Sequence, residues 1–424
     1  MDIVYDAVIQ NVKLLENDQP VNIGVKNGKF SSITKEPIQG RNTWNGNGGL
    51  VLPPFVEMHT HLDTAFTARS SQNLSGTLLE GIRLWQERKK QLTIEDVIER
   101  GTEMLQLLIQ HGVLFIRTAV DISDPNLTAL HAAFQLREKF HDLIEMQIIA
   151  FPQDGLMGCP ENLVRMEKAI QLGADAVSAV PHLERTRESG IASLEFCFHL
   201  AKKYGVFVHI FSDEVDDGHS RYLEVIADLT IKEKMIERVT ASHAIALSYY
   251  SSAYASKVIS LVKEAKLTIV SCPLINVAMQ GRFDIFPKGR GITRIKELSD
   301  SGVNVCIAHD DIRSPFYPYG DGNLLQAVYM GAHLAHMTGS EQAVQLIKMI
   351  TNNGAKAFGM KDYGIKIGNC ANFIVFPAQD ATDLIAKHPP CTHVFRNGRL
   401  IVGTKPAEIK WNLTKFSNLN INLQ

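Results

Sequence analysis

The feature that most constrains this chain is an eightfold alternation of short apolar runs with amphipathic stretches through its middle. The first run starts at Leu50 and ends at His59, and the other seven cover Val113–Ala119, Glu145–Phe151, Ala174–Pro181, Val206–Phe211, Arg238–Ser242, Leu267–Cys272 and Asn304–Ala308. Each is short, bounded and rich in Val, Ile, Leu or Phe, as buried parallel strands are. The segments between them have readable helix ends: Thr93 with Asp96 at a start, and Gly112, Gly173, Gly205 and Gly302 at stops. Strand and helix repeated eight times predict an α/β chain with a (β/α)8 TIM barrel.

The flanks differ. Asp6–Leu15, Val21–Val25 and Lys29–Thr34 are short alternating runs separated by Asn, Asp and Gly, and Asn372–Pro377, His393–Arg396 and Arg399–Val402 mirror them at the far end. Neither set can bury a core alone. The expected organisation is a small β-sandwich domain made from both termini, residues 1–49 and 367–424, around a barrel of residues 50–366. The segment Thr64–Leu92 is too long for an ordinary connection and is expected to shape the mouth of the barrel.

Composition removes several function classes. A formal charge of -2 gives no electrostatic reason for a nucleic-acid partner or an anionic membrane surface. The six cysteines are scattered, with no C-x-x-C, so neither a disulfide framework nor a structural zinc site is expected. No apolar run reaches membrane-spanning length and the first residues lack a leader pattern, so a cytoplasmic protein is expected.

Barrel enzymes work at the C-terminal ends of their strands. Strand one ends in His59-Thr60-His61, whose two imidazoles point the same way from an extended chain. Strand three runs into Gln153, strand five into Asp213-Glu214, strand six into His243 and strand eight into His309-Asp310-Asp311. Singly each has an ordinary structural explanation. Together, at five ends of one barrel, they predict a catalytic cavity.

The stretches H-T-H-L-D-T, A-F-P-Q-D-G, D-E-V-D-D, V-T-A-S-H, Q-G-R-F-D, K-G-R-G-I-T-R and A-H-D-D closely resemble the cytosine deaminase branch of the amidohydrolase superfamily, from about Val51 to Asn372. The resemblance implies a cyclic amidine deaminase with one divalent metal ion, Zn or Fe, acting on a small heterocyclic substrate and releasing ammonia. It implies His59, His61 and Asp310 as metal ligands, with Asp310 also taking a proton from the attacking water. Glu214 would carry a proton to the ring nitrogen and His243 would hydrogen-bond the water, while Gln153, Asp311 and Phe316 would bind substrate. A homo-oligomer is expected. The chemistry needs such a set, because water is a weak nucleophile and the leaving nitrogen must gain a proton.

The departures from the family pattern are specific. A ligand histidine on strand five is Phe211 here, and two further family histidines are Ala119 and Ala278, while a tryptophan after H-D-D is Phe316. His209 shares the face of Phe211 but lies about 6.5 Å deeper, which favours a core role over ligation. His59, His61 and Asp310 still give three ligands, the usual number for catalytic zinc, with His243 as a candidate fourth. The loss of polar groups at Ala119 and Ala278 is expected to weaken selection for cytosine itself, with isocytosine, isoguanine, creatinine or a cyclic amide as alternative substrates. The rival reading is a fold kept for binding after hydrolysis was lost. The zinc deaminase fold with H-x-E and P-C-x-x-C signatures is excluded by the cysteine spacing.

Overall fold

A computed structural model of the chain describes residues 4–405. Its strands, in order, are β1 (Val4–Leu14), β2 (Asn17–Lys26), β3 (Lys29–Thr34), β4 (Gln39–Leu52), β5 (Phe55–Thr60), β6 (Val113–Asp121), β7 (Glu145–Phe151), β8 (Ala176–Val177), β9 (Phe207–Ser212), β10 (Val239–His243), β11 (Thr268–Ser271), β12 (Asn304–Ile307), β13 (Phe373–Phe376), β14 (His393–Arg396) and β15 (Arg399–Gly403). The described residues fall into two compact units, one comprising residues up to Pro54, 110–112 and from Asp362 onward, the other residues 55–109 and 113–361.

The larger unit is the (β/α)8 barrel. Strands β5 to β12 form one sheet in sequence order with parallel neighbours. The sheet nearly closes through a parallel bridge between Thr60 and Asp310, with Asp310 N–H donating to His59 O at 3.1 Å. Glu57 reinforces that seam by accepting the backbone N–H of His59 at 3.0 Å and of His309 at 2.9 Å. The helix ends follow the sequence signals: Thr93 Oγ1 accepts from Asp96 N, and Gly205 terminates the helix Arg187–Tyr204 at φ +69°. The fourth strand is shorter than expected. Only Ala176–Val177 pair with both neighbours before the chain bends into a helical turn at Pro181–Leu183.

The smaller unit is a seven-stranded sheet ordered β15-β14-β13-β4-β1-β2-β3. It curls until Phe30 of β3 meets Phe373 of β13 at 5.7 Å between ring centroids, enclosing Ile9, Val12, Ile23 and Phe395 in a shared core. Strand β4 was not expected. Its outer half, Gln39 to Gly49, is polar and largely exposed, and therefore carries no alternation to read. Leu50–Leu52 complete β4 and pair with β13, so the apolar run from Leu50 to His59 is two strands, broken at Pro53-Pro54 because proline cannot donate to a ladder. The division accordingly falls at Pro54/Phe55, and at Lys361/Asp362 on the far side, rather than at 49/50 and 366/367. The part of the expected C-terminal sandwich segment beyond residue 405 lies outside the described residues.

Candidate active site

The segment after β5 folds over the C-terminal mouth of the barrel, as its length implies. The helix Leu78–Arg88 is capped by Thr77, whose hydroxyl accepts from Glu80 N. It is anchored by Trp85, fully buried, which donates from Nε1 to Asp121 Oδ2 at 2.9 Å. Beneath it lies a small cavity of about 40 Å³. His61, Gln153, Glu214, His243, Asp310, Asp311 and Phe316 all line it, and Leu78, Ile82, Phe151, Leu183, Phe211 and Ile275 supply much of its apolar surface. His59 lies just below, wholly buried, with its ring centroid 4.8 Å from that of His243.

Three non-glycine residues at the strand ends hold left-handed backbone: Asp213 at φ +48°, His243 at +66° and Asp310 at +74°. Such conformations cost on the order of 1–3 kcal/mol and collect where side chains must be aimed. Asp213 is a brace rather than a reactant. It accepts from Ser212, Ser220 and the N–H groups of Tyr222 and Leu223, pinning the start of the next helix.

Two groupings of ligand-type atoms share Asp310. Those of His59, His243, Cys272 and Asp310 lie within 4.8 Å of one another, as do those of His61, Asp310 and Asp311. His59 Nε2 is 3.5 Å from Asp310 Oδ2, and His61 Nε2 is 3.7 Å from Asp310 Oδ1. His59 Nε2, His243 Nε2 and Asp310 Oδ2 are buried with no hydrogen-bond partner. Buried polar atoms are seldom left so, because desolvation costs about 1–3 kcal/mol each. A divalent cation would satisfy His59 Nε2 and Asp310 Oδ2, and the mixture of imidazole and carboxylate suits zinc or iron.

The electrostatics agree. Burial, then the charges of Asp311 and Glu214, push the Asp310 carboxyl well above the usual range. Burial and then Asp311 raise Glu214 to about 8, against a hydrogen bond from Asn276 that lowers it. Burial also holds His59 well below its ordinary value and brings His243 down to about 3, so both imidazoles are neutral.

Three contributors were missed by the sequence reading. Asn276, in the helix Pro273–Met279, donates from Nδ2 to Glu214 Oε1 at 3.2 Å and meets His243 Nδ1 at 3.1 Å. It fixes two site residues at once. Neutral His243, accepting at Nδ1, carries its proton on Nε2, which faces Asp310 Oδ2 at 3.9 Å. His209 is a core residue but not an inert one: its Nε2 lies 2.9 Å from His59 Nδ1. Both rings are held neutral, so one proton joins them; in the tautomer where His59 Nδ1 donates it, His59 Nε2 is left a bare lone pair toward Asp310. Cys272 is the third, placed between β11 and that short helix. The signal lay in Ser271-Cys272-Pro273-Leu274-Ile275-Asn276, polar groups at the end of a seventh strand that had no site residue assigned.

The expected consequence of Ala119 and Ala278 needs correction. Ala119 is packed with Ile149, Phe151 and Phe211 in the barrel interior. Ala278 is half-buried on the short helix, where its carbonyl accepts from Arg282. Neither alanine side chain is among those lining the cavity. Phe211 is: its ring stacks on Phe151 at 4.2 Å and stands 4.6 Å from His59, 5.7 Å from His61 and 5.4 Å from His243.

Fold and cavity together define a barrel hydrolase acting on C–N bonds. A model of the Amidohydrolase family matches residues 127–402, and the chain belongs to that family, on its cytosine deaminase-like branch. A 5-methylcytosine deaminase from Klebsiella pneumoniae, solved with 5-fluorocytosine bound, is 37% identical and superposes with a TM-score of 0.93 over 95% of this chain and 99% of its own. An N-isopropylammelide isopropyl amidohydrolase from Pseudomonas sp. (strain ADP) is 28% identical over 412 residues, 94% of this chain and 97% of its own. A pterin deaminase from Rhizobium rhizogenes is 26% identical over 365 residues, 84% of this chain and 82% of its own. No helix among the described residues is long and apolar enough to cross a membrane.

Proposed function

We propose that this chain is a metal-dependent deaminase of a cytosine-like ring that accepts a small apolar substituent at carbon 5. The observation that carries the reading is the Glu214–Asn276–His243 constellation facing Asp310 across one cavity, with Gln153 and Asp311 in the same lining. His59, His61 and Asp310 would hold the ion, which supplies a water of pKa near 7 when bound.

The chain's own residues do the rest. Gln153 offers both a donor and an acceptor, matching the amide edge of a pyrimidinone. Glu214, protonated below about pH 8, gives its proton to the ring nitrogen as water adds to the amino-bearing carbon. Asp310 takes one proton from the water and passes it to the departing amine, and as the C–N bond breaks and the carbonyl forms the adduct's hydroxyl proton returns to Glu214, releasing ammonia. His243 holds the water with its Nε2–H. Phe316 closes the cavity beside the lid helix, where it packs on Gly81. Leu78, Ile82 and Leu183 leave no polar partner for a substituent, so a methyl group suits that wall better than a hydroxyl.

The resemblance to a 5-methylcytosine deaminase at 37% identity supports the same substrate class. The test is ammonia release from cytosine, 5-methylcytosine, isocytosine, isoguanine and creatinine, with and without a chelator. 5-Methylcytosine should be turned over at least as well as cytosine, and the activity should be chelator-sensitive. Turnover of creatinine or isoguanine alone would overturn the substrate reading.

A further inference from the structure

We infer that Cys272 supplies a metal ligand in this chain, as a thiolate in place of the imidazole that Phe211 displaced from strand β9. The inference rests on the metal-dependent reading above and goes beyond it. Phe211 cannot ligate, and its ring fills the β9 side of the site between His59, His61 and His243. On the other side Cys272 follows β11 directly and is fully buried. Its Sγ lies within 4.8 Å of the ligand atoms of both His59 and Asp310. His59 Nε2 and Asp310 Oδ2, buried and unpartnered, are aimed into that same space.

His243 is the competing ligand, since its Nε2 lies in the same group. Its Nδ1 is taken by Asn276, which leaves a proton on Nε2 and makes it a donor to water rather than to a cation. The thiol can shed its proton on coordination. That proton goes to solvent, and a soft sulfur ligand biases the site toward zinc or cobalt over the harder ions.

The experiment loads the full-length protein with one equivalent of Co(II) or Zn(II). The Co(II) form should show a near-ultraviolet thiolate-to-cobalt charge-transfer band, and X-ray absorption of the Zn(II) form should show one sulfur at about 2.3 Å. Cys272→Ser should abolish both signatures, release one proton fewer per ion bound, and weaken Zn(II) by at least the roughly 10–100-fold that loss of a supporting partner costs. Cys272→Ala, with circular dichroism unchanged, guards against a folding defect, and the wild-type spectra need no variant. One bound ion without a sulfur signature, or a sulfur signature that survives Cys272→Ser, would overturn the inference while leaving the deaminase reading intact. Full deaminase activity in protein holding no metal would overturn both.

Discussion

The cavity has two walls that differ in kind. On the seam between β5 and β12 groups are held from behind: His59 by His209, the backbone at the seam by Glu57, and Asp311 by Thr64, whose hydroxyl donates at 2.6 Å. On the β7–β9 side the wall is aromatic, Phe151 stacked on Phe211 over Ala119 and Val180. One wall is built to hold charge and protons where desolvation makes them costly. The other excludes water and shapes the space. Phe211 leaves no hole on β9, because its ring has Phe151 to stack on.

The largest effect should come from the proton donor at the end of β9, Glu214. Glu214→Gln removes the proton that the leaving reaction needs, and kcat should fall on the order of 10²–10⁴-fold. The pH dependence has a definite sign. Burial and Asp311 raise the carboxyl to about 8, so the active, protonated form persists below that value and kcat falls as pH rises through it. The residual activity of the variant should lack that alkaline limb, a difference read from a pH–rate profile at saturating metal. The aromatic side answers to a different measurement. Phe211→Ala should cost about 3–5 kcal/mol of stability, seen in denaturant unfolding, because it empties a stacked, buried position.

Support from behind is worth less but is diagnostic. His209→Phe leaves the His59 Nδ1 proton without an acceptor, and metal affinity should drop about 10–100-fold by competitive chelator titration, with stability changed far less. Affinity that does not move would mean the pair is only core packing. The smallest effect is expected at Ala278. Ala278→Ser should shift the ratio of kcat/KM for cytosine and 5-methylcytosine by no more than about twofold, within the roughly 0.5 kcal/mol usual for sites away from the chemistry. A larger shift would restore it as a specificity residue.

Which parts of this were legible in the sequence follows from physics. His59, His61, Glu214, His243 and Asp310 stand at the ends of apolar strands, and the barrel's topology forces such ends onto one mouth. Asn276 and Cys272 sit in or beside a seven-residue helix with no pattern of its own, and a lone cysteine signals nothing. The depth of His209 was estimated along its own strand, but barrel strands tilt and their side-chain layers are staggered. His209 therefore meets His59 directly although Phe211 lies between it and the mouth. Strand β4 escaped because its outer half buries little, and the two prolines that end it were read as lying inside one strand.

The most direct test of the central claim is metal stoichiometry measured together with 5-methylcytosine turnover, before chelation, after it, and after one equivalent of Zn(II) or Fe(II) is returned. One ion per chain is expected, with ammonia release lost on its removal and recovered on its return. A metal-free protein that keeps full turnover, or a fully loaded one that releases no ammonia from any cytosine-like ring, would contradict the account.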